Sequence, residues 1–295
     1  MQIEPEIADV MSERRRLINL AYRLLGSLAD AEDVVQETYA RLYSLEESER
    51  VALREPAAWL TTVATRICLD QLGSARARRE SYVGEWLPEP IPDPERRPAA
   101  DPADRITLDE SVDMALLVVL DEMTPAERVA FLLHDVFGYA FAEIGEIVGR
   151  SPAACRQLAT SARRRVQEAR PAEVPTTERA AVVRRFRDAW ELGEIRDLLA
   201  VLDADAVMTS DGGGVVPAAL VPIRGGAVIA DFLAGLARPA TEVRLEERSV
   251  NGQPGLVVSV GETIETVLSF DVADGHIRQI WAMRNPEKLR AWLVD

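Results

Sequence analysis

Residues 141–170 read FAEIGEIVGRSPAACRQLATSARRRVQEAR, and this stretch predicts two helices joined by a tight turn. Apolar residues recur at helical spacing up to Val148, and Gly149 supplies a plausible stop. Ser151 then stands at an N-cap position, with Pro152 at the first helical position. The pattern is typical of a helix-turn-helix, in which the second helix enters the major groove of DNA.

The second of these helices carries arginine and amide side chains opposite its apolar residues. Such side chains reach base edges in the major groove, and further arginines hold phosphates. We therefore predict a DNA-reading face formed by Arg156, Gln157, Thr160, Ser161, Arg163 and Arg164. Composition alone favours a merely solvated helix by about 2 to 1, and the cap, turn and polar face together reverse that preference.

Length and composition bound the remaining possibilities. A chain of 295 residues suggests about two domains, or three smaller modules. The sequence has no apolar run long enough to span a bilayer, and residues 1–16 lack the apolar core of a secretion signal. Cys68 and Cys155 are too few for a disulfide framework, which predicts a cytoplasmic protein with two thiols and no membrane partner.

The net charge of −15 is opposite in sign to the basic field expected of a DNA-binding protein. Basic residues nevertheless cluster at 76–79 and 163–165. A weak independent affinity for DNA also suffices if a larger partner holds the protein on its site. Lys288 is the only lysine; together with the richness in Ala and Arg, it indicates the codon usage of a GC-rich genome and no function.

Residues 1–83 predict an all-helical domain. Its second helix is expected over 31–45, with Asp30 as the N-cap. This helix presents a polar stripe outward, consisting of Asp33, Gln36, Glu37 and Arg41. On the pattern alone, a solubilising face and a partner-binding face are equally good interpretations. A third helix begins near Pro56 and ends in the first basic cluster.

Six prolines between Gly84 and Arg105 predict a semi-rigid linker over 84–105. A second helical domain, 106–170, then contains the helix-turn-helix, and a short linker covers 171–177. In 178–295, two helices precede strand-like runs, and Asn-Gly at 251–252 and Asp-Gly at 274–275 predict hairpin turns. The predicted fold class is multidomain: two all-α helical domains followed by an α+β domain with a curved antiparallel sheet, a fold that commonly has a pocket under its helices.

The first 170 residues resemble the extracytoplasmic-function sigma factors of bacterial RNA polymerase. DAEDVVQETYARLY, from Asp30, is similar to the helix that grips the polymerase clamp. PAAWLTTVATRICLDQL is similar to the segment that melts and reads the −10 element, although Arg66 stands where many relatives carry Asn. The resemblance implies polymerase contacts at Asp33, Gln36, Glu37 and Arg41. It also implies −10 contacts at Trp59, Arg66, Asp70, Arg76, Arg78 and Arg79. FLLHDVFGYAFAEIGEIVGRSPAACRQL, from Phe131, is similar to the −35-reading domain, so the DNA-reading face described above is implied to contact the −35 element.

Three short motifs resemble those of the sigma-factor subgroup with a fused SnoaL-like, NTF2-like C-terminal domain. They are WLPEP at 86–90, DGGG at 211–214 and NPEKL at 285–289, where Asn285 and Pro286 suit the start of a final helix. The resemblance implies that the tail regulates the sigma domains in cis. The residues it assigns to this task are Trp86, Leu87, Pro88, Asp211, Gly212, Gly213, Gly214, Asn285, Pro286 and Leu289.

Three classes of function remain open on the sequence. A transcription initiation factor leads, with core RNA polymerase and promoter DNA as partners. A ligand-sensing helix-turn-helix regulator acting without polymerase comes second, and a SnoaL-type cyclase or isomerase with a helical targeting domain third. Such an enzyme needs a poised acid–base group, yet His276 is more simply a surface strand residue, by about 4 to 1. We expect no enzyme activity, cofactor or metal, and leave open an unknown small ligand in the C-terminal pocket.

Overall fold

The computed structural model describes residues 13–79, 82–93, 112–169, 174–236 and 243–293. The chain divides into two compact units. Residues 1–80, 101–107 and 119–169 form the helical unit, and residues 81–100, 108–118 and 170–295 form the sheet unit. Within the described ranges, no helix has the length and apolar character needed to cross a membrane.

The helical unit begins with four helices: α1 (Arg14–Leu25), α2 (Leu28–Tyr43), α3 (Glu47–Val51) and α4 (Pro56–Arg79). Gly26, at φ 73°, ends α1 in the left-handed conformation. The predicted N-cap of α2 was wrong by one turn: the Ser27 side chain, not Asp30, caps the helix and accepts from the Asp30 N–H at 3.2 Å. The core between α1, α2 and α4 is apolar and contains the fully buried Tyr22 and Leu60.

The chain continues with α5 (Met114–Asp121), whose residues up to Val118 belong to the sheet unit. The rest of the helical unit comprises α6 (Pro125–Phe131), a π-helical segment (Leu132–Val136), α7 (Phe141–Val148) and α8 (Pro152–Ala169). The predicted helix-turn-helix is confirmed as α7 and α8, with Gly149 left-handed between them. A Cβ at Gly145 would lie 2.6 Å from the Arg150 carbonyl, so glycine is needed for this tight turn. The π-helical segment was not predicted, because its apolar spacing also fits an α-helix.

The sheet unit contains α9 (Thr176–Glu191), α10 (Ile195–Val201), β1 (Leu202–Asp211), β2 (Ile223–Arg224), α11 (Gly226–Gly235), β3 (Val243–Val250), β4 (Gln253–Val260), β5 (Thr263–Ala273), β6 (His276–Met283) and a 3₁₀ turn (Arg290–Trp292). The described strands form a sheet in the order β2-β1-β6-β5-β4-β3. Only β1 and β6 pair in parallel among them; the other neighbours are antiparallel. The predicted helix after Asn285 is a turn followed by this 3₁₀ turn.

Both predicted hairpin turns are confirmed. Asn251 and Asp274 have φ values of 53° and 54°, and a glycine with positive φ follows each. Positive φ at both central residues is the geometry of a type I′ turn, which matches the twist of the flanking strands. These turns fix the register of β3 with β4 and of β5 with β6.

The sheet is buried on both faces. One face packs against α9, α10 and α11 through a hydrophobic cluster that includes Phe186, Leu198 and Ile229. The opposite face carries Val257, Val267 and Trp281, and it is covered by Leu87 from the linker and Met114 from α5. The alternation of polar and apolar residues along the strands would leave this second face exposed to solvent. The packing of Leu87 and Met114 on it could therefore not be predicted from the strand sequences.

Candidate nucleic-acid interface and linker-docking site

Four of the residues predicted to read the −35 element lie exposed on α8: Arg156, Gln157, Thr160 and Arg164. The Arg156 guanidinium lies 5.3 Å from the centre of the Phe141 ring, which is within the range of a cation–π contact. This contact places the charged end of Arg156 beside the start of α7, where the residue remains exposed. The Thr160 hydroxyl donates to the Arg156 carbonyl at 2.8 Å.

The other two residues in this predicted set contact their own domain. The Ser161 hydroxyl donates to Glu127 on α6 at 2.9 Å. Arg163 makes two hydrogen bonds to the Asp135 carboxylate, at 2.9 and 3.0 Å. Both contacts fasten α8 to the preceding helical segments. Their DNA contacts remain predictions.

Glu127 is buried and was not singled out from the sequence, although Thr124 and Glu127 have the spacing of a capping box. Burial acts to raise the pKa of this carboxyl group. Hydrogen bonds from Thr124 and Ser161 outweigh that effect, and the pKa is lowered overall. The carboxylate therefore links the start of α6 to α8 as a charged hydrogen-bond acceptor.

The residues predicted to read the −10 element lie on α4. Trp59 is half-buried, and Arg66 and Asp70 are exposed. Arg66 donates from Nη2 to the Glu146 carbonyl on α7 at 3.0 Å. The side chains of Arg76, Arg78 and Arg79 lie outside the described part of the structure.

Further contacts join α1 to the segments that precede the helix-turn-helix. Arg128 is almost fully buried and donates to the Leu24 carbonyl at 2.6 Å and to Asp121 at 3.1 Å. Arg16 lies 5.5 Å from the centre of the Tyr139 ring and donates to its hydroxyl at 3.3 Å. The two segments predicted to read DNA are therefore packed into one compact unit.

The polar stripe on α2 is exposed at all four predicted positions, Asp33, Gln36, Glu37 and Arg41. Glu37 and Arg41 form an ion pair one turn apart. Exposed pairs of this kind contribute little to stability, about 0.3–0.5 kcal/mol. The stripe is thus accessible, and its contact with polymerase remains a prediction.

In the sheet unit, the three motifs WLPEP, DGGG and NPEKL converge on the carboxylate of Asp211, which is 0% exposed. Its Oδ1 accepts from the Tyr82 hydroxyl at 2.6 Å and the Gly213 N–H at 2.9 Å. Its Oδ2 accepts from the Leu87 N–H at 2.9 Å and the Lys288 ammonium at 2.7 Å. We call Tyr82, Trp86, Leu87, Asp211, Asn285 and Lys288 the linker-docking site.

Lys288 completes this site from the NPEKL segment. Its ammonium also donates to the Leu87 carbonyl at 2.6 Å. The same nitrogen lies 4.1 Å from the centre of the Trp86 ring and 5.3 Å from that of Tyr82. Sequence reasoning missed both Lys288 and Tyr82, because their partners are more than 70 residues distant in the chain.

The glycines of DGGG have a steric explanation. Gly213 has φ 66°, and a Cβ there would lie 2.6 Å from Asn285. The Asn285 amide donates to the Tyr82 hydroxyl at 3.0 Å. Burial raises the pKa of Tyr82, and the hydrogen bond to the Asp211 carboxylate raises it further, so the phenol remains a donor.

The remainder of the linker is held by backbone contacts. Ile91 exchanges hydrogen bonds with Asn251, donating to its side chain at 3.0 Å and accepting from its N–H at 2.8 Å. The Trp292 indole donates to the Pro90 carbonyl at 2.8 Å. Pro88 and Leu289 are buried, whereas Pro286 is exposed. The linker thus packs along the sheet unit from Tyr82 to Pro92.

Comparison with known proteins agrees with this architecture. The Sigma-70 region 2 model matches residues 10–78, and the Sigma-70 region 4 model matches residues 113–166. The ECF RNA polymerase sigma factor SigJ of Mycobacterium tuberculosis is 36% identical, covering 96% of this chain and 93% of that protein. A probable ECF RNA polymerase sigma factor, SigI, of the same species is 34% identical, covering 98% and 96%.

The crystal structure of Mycobacterium tuberculosis SigJ superposes with a TM-score of 0.75 at 34% identity, covering 97% of this chain and 98% of that one. Helical sigma domains followed by a SnoaL-like sheet domain are shared with that structure. The chain belongs to the extracytoplasmic-function RNA polymerase sigma factors. It acts in promoter-directed initiation of transcription, as its sequence predicts.

Proposed function

We propose that the SnoaL-like domain of this sigma factor controls promoter activity in cis by holding the linker between the two DNA-reading segments. The observation that carries the proposal is that residues on either side of 94–111 pack in one hydrophobic cluster. Leu87, near the start of the predicted linker, is 3% exposed, and Met114, at the start of α5, is 4% exposed. Trp281 and Trp292 belong to the same cluster.

The physical reason is reach. Elements named for positions −10 and −35 are about 25 base pairs apart, or about 85 Å of duplex at 3.4 Å per base pair. In the helical unit, by contrast, Arg66 on α4 touches Glu146 on α7. We call α4 and α8, which are predicted to contact the −10 and −35 elements, the two readers. They must therefore separate before both can contact a promoter.

A free linker allows that separation. Residues 80–113 could span about 110 Å if fully extended, at about 3.3 Å per residue. Packing of Leu87 and Met114 in one cluster of the sheet domain holds the two sides of this connection together, so that its length no longer lets the readers separate. The docked linker therefore favours the packed arrangement of the readers, and its release favours the arrangement that fits a promoter.

The remaining site assignments belong to the same proposal. Core RNA polymerase would bind the α2 stripe, and promoter DNA would meet the exposed residues of α4 and α8, in the cytoplasm where both partners are found. A small ligand in the C-terminal domain has less support. The space between its helices and sheet is occupied by hydrophobic side chains such as Phe186 and Phe270, whose rings are 5.3 Å apart.

The test is transcription in vitro with core polymerase, comparing the full chain with cuts after Arg170 and after Met283. The smaller deletion, with the cut after Met283, is called the shorter cut. It removes Asn285 and Lys288 but leaves every described strand. We expect it to raise output by roughly 5- to 150-fold, the usual range of allosteric coupling. Removal of the whole domain should also change output. Equal output from all three, with circular dichroism showing that the shorter cut is folded, would refute control in cis.

A further inference from the structure

Lys288 is the basic side chain of the linker-docking site. Every other basic residue of the chain is an arginine. The sequence alone suggests that this bias reflects only codon usage. The one lysine nevertheless stands where a buried carboxylate, a backbone carbonyl and two aromatic rings converge on a single nitrogen.

The contacts of this ammonium hold the linker directly. Leu87 donates its N–H to Asp211 Oδ2 at 2.9 Å, and its carbonyl accepts from Lys288 at 2.6 Å. The ion pair between Asp211 and Lys288, at 2.7 Å, closes this arrangement. Both backbone polar groups of Leu87 are therefore satisfied by the two partners of one buried pair.

The geometry also favours an ammonium over a guanidinium. Lysine is a compact charge with three donors, whereas arginine presents five donors in a planar fork. Two oxygen acceptors lie within hydrogen-bond distance of the Lys288 nitrogen, and the rings of Trp86 and Tyr82 lie beside it. The Lys288 side chain is 12% exposed, so an arginine here would have to place a larger, planar group with five donors where little water reaches.

We infer that Lys288 is the positioning residue that decides whether the linker is docked, and that arginine cannot replace it. The inference rests on the proposed function, since it names the contact through which control in cis would operate. Loss of the ammonium leaves the Asp211 carboxylate buried without a countercharge, which is strongly unfavourable. Release of Leu87 restores water to that carboxylate, so the linker undocks.

The sole lysine gives a direct assay of docking. In the wild type, an amine-selective acylating reagent can modify only the α-amino group and Lys288. After cleavage at arginine, fragment-ion mass spectrometry identifies which amine of a peptide carries the acyl group. Arg290→Lys supplies the reference, because residue 290 is exposed two positions beyond the site. In that variant of the full chain, we expect Lys288 to react at least tenfold more slowly than the new lysine. Equal rates would overturn the inference.

Substitutions of Lys288 test its specificity. In Lys288→Arg and Lys288→Met, we expect chymotrypsin to cleave the Trp86–Leu87 bond at least tenfold faster than in the wild type. Asp211→Asn combined with Lys288→Met should recover part of the protection, because no charge is then left unpaired. If the Trp86–Leu87 bond of Lys288→Arg is cleaved as slowly as that of the wild type, the inference is overturned. Fast cleavage with unchanged promoter output would instead uphold the inference and reject control in cis.

Discussion

At the scale of single residues, α8 carries two kinds of polar side chain that look alike in the sequence. Arg156 is exposed, whereas Arg163 is bound to Asp135 by two hydrogen bonds. The sequence predicted both as DNA contacts because both lie off the apolar face of the helix. The difference depends on Asp135, 28 residues earlier, and on a π-helical segment without a clear local signature.

We expect Arg156→Ala and Arg163→Ala to have different consequences. Arg156→Ala should relax preference at the −35 element, costing about 1–3 kcal/mol if the side chain makes a bidentate base contact. Arg163→Ala should instead lower the stability of the helical unit by about 1 kcal/mol or less, since its ion pair is partly exposed. Binding of holoenzyme to a library of −35 sequences, together with thermal unfolding, separates the two. Identical sequence profiles for wild type and Arg156→Ala would refute the first assignment.

Glu127 predicts an acid-sensitive contribution to stability. Its pKa is lowered in the folded chain from an ordinary value of 4.5. The carboxylate therefore stabilises the fold fully above about pH 4.5, and this contribution is lost as pH falls through the lowered pKa. We expect Glu127→Gln to unfold at lower denaturant concentration than wild type at pH 7, and the difference to shrink at pH 3. The exposed Glu122→Gln is the control; a constant difference across this range would contradict the assignment.

At the scale of elements, the local signals in the sequence were sufficient for most of the fold. Gly149 with Ser151 bounds the helix-turn-helix, and the Asn-Gly and Asp-Gly pairs bound two hairpins, because caps and turns depend on neighbouring residues. The docking of WLPEP onto DGGG and NPEKL involves partners such as Tyr82 and Asp211, 129 residues apart. Hydrophobic periodicity along the sequence does not predict a contact between such distant residues. The three motifs were assigned a common role only through the resemblance to a family.

The turn at DGGG provides a prediction for that element. Gly213→Ala adds a Cβ 2.6 Å from Asn285 at a residue with φ 66°, so the turn or Asn285 must move. We expect faster chymotryptic cleavage at Trp86–Leu87 and a lower midpoint of thermal unfolding for the sheet unit. Gly235→Ala is the matched control, since nothing lies within 4 Å of an added Cβ there. Equal behaviour of the two variants would show that the turn is not needed for docking.

At the scale of the whole molecule, α4 and the helix-turn-helix pack together in the helical unit, whereas the two promoter elements they are predicted to contact lie far apart. Labels on exposed positions of α4 and α8 can follow the change, for example Gly73→Cys with Gln167→Cys. The native Cys68 and Cys155 are fully buried, and burial raises the pKa of both thiols, so thiol reagents should favour the introduced sites. We expect energy transfer between the labels to fall when core polymerase and promoter DNA bind. Unchanged transfer in active holoenzyme would contradict separation of the readers.

The cover that Leu87 and Met114 give to the second face of the sheet also bears on engineering. A graft of residues 178–295 onto another sigma factor would transfer a domain that keeps Leu289 and Trp292 on this face but loses Leu87 and Met114, which leaves part of an apolar face exposed whatever the quality of the junction. The unit that must be transferred is instead discontinuous in sequence. It includes the segments around Tyr82–Pro92 and Met114 as well as the C-terminal domain. Recombination between members of this family should therefore yield working chimaeras only when the linker and the tail come from the same parent.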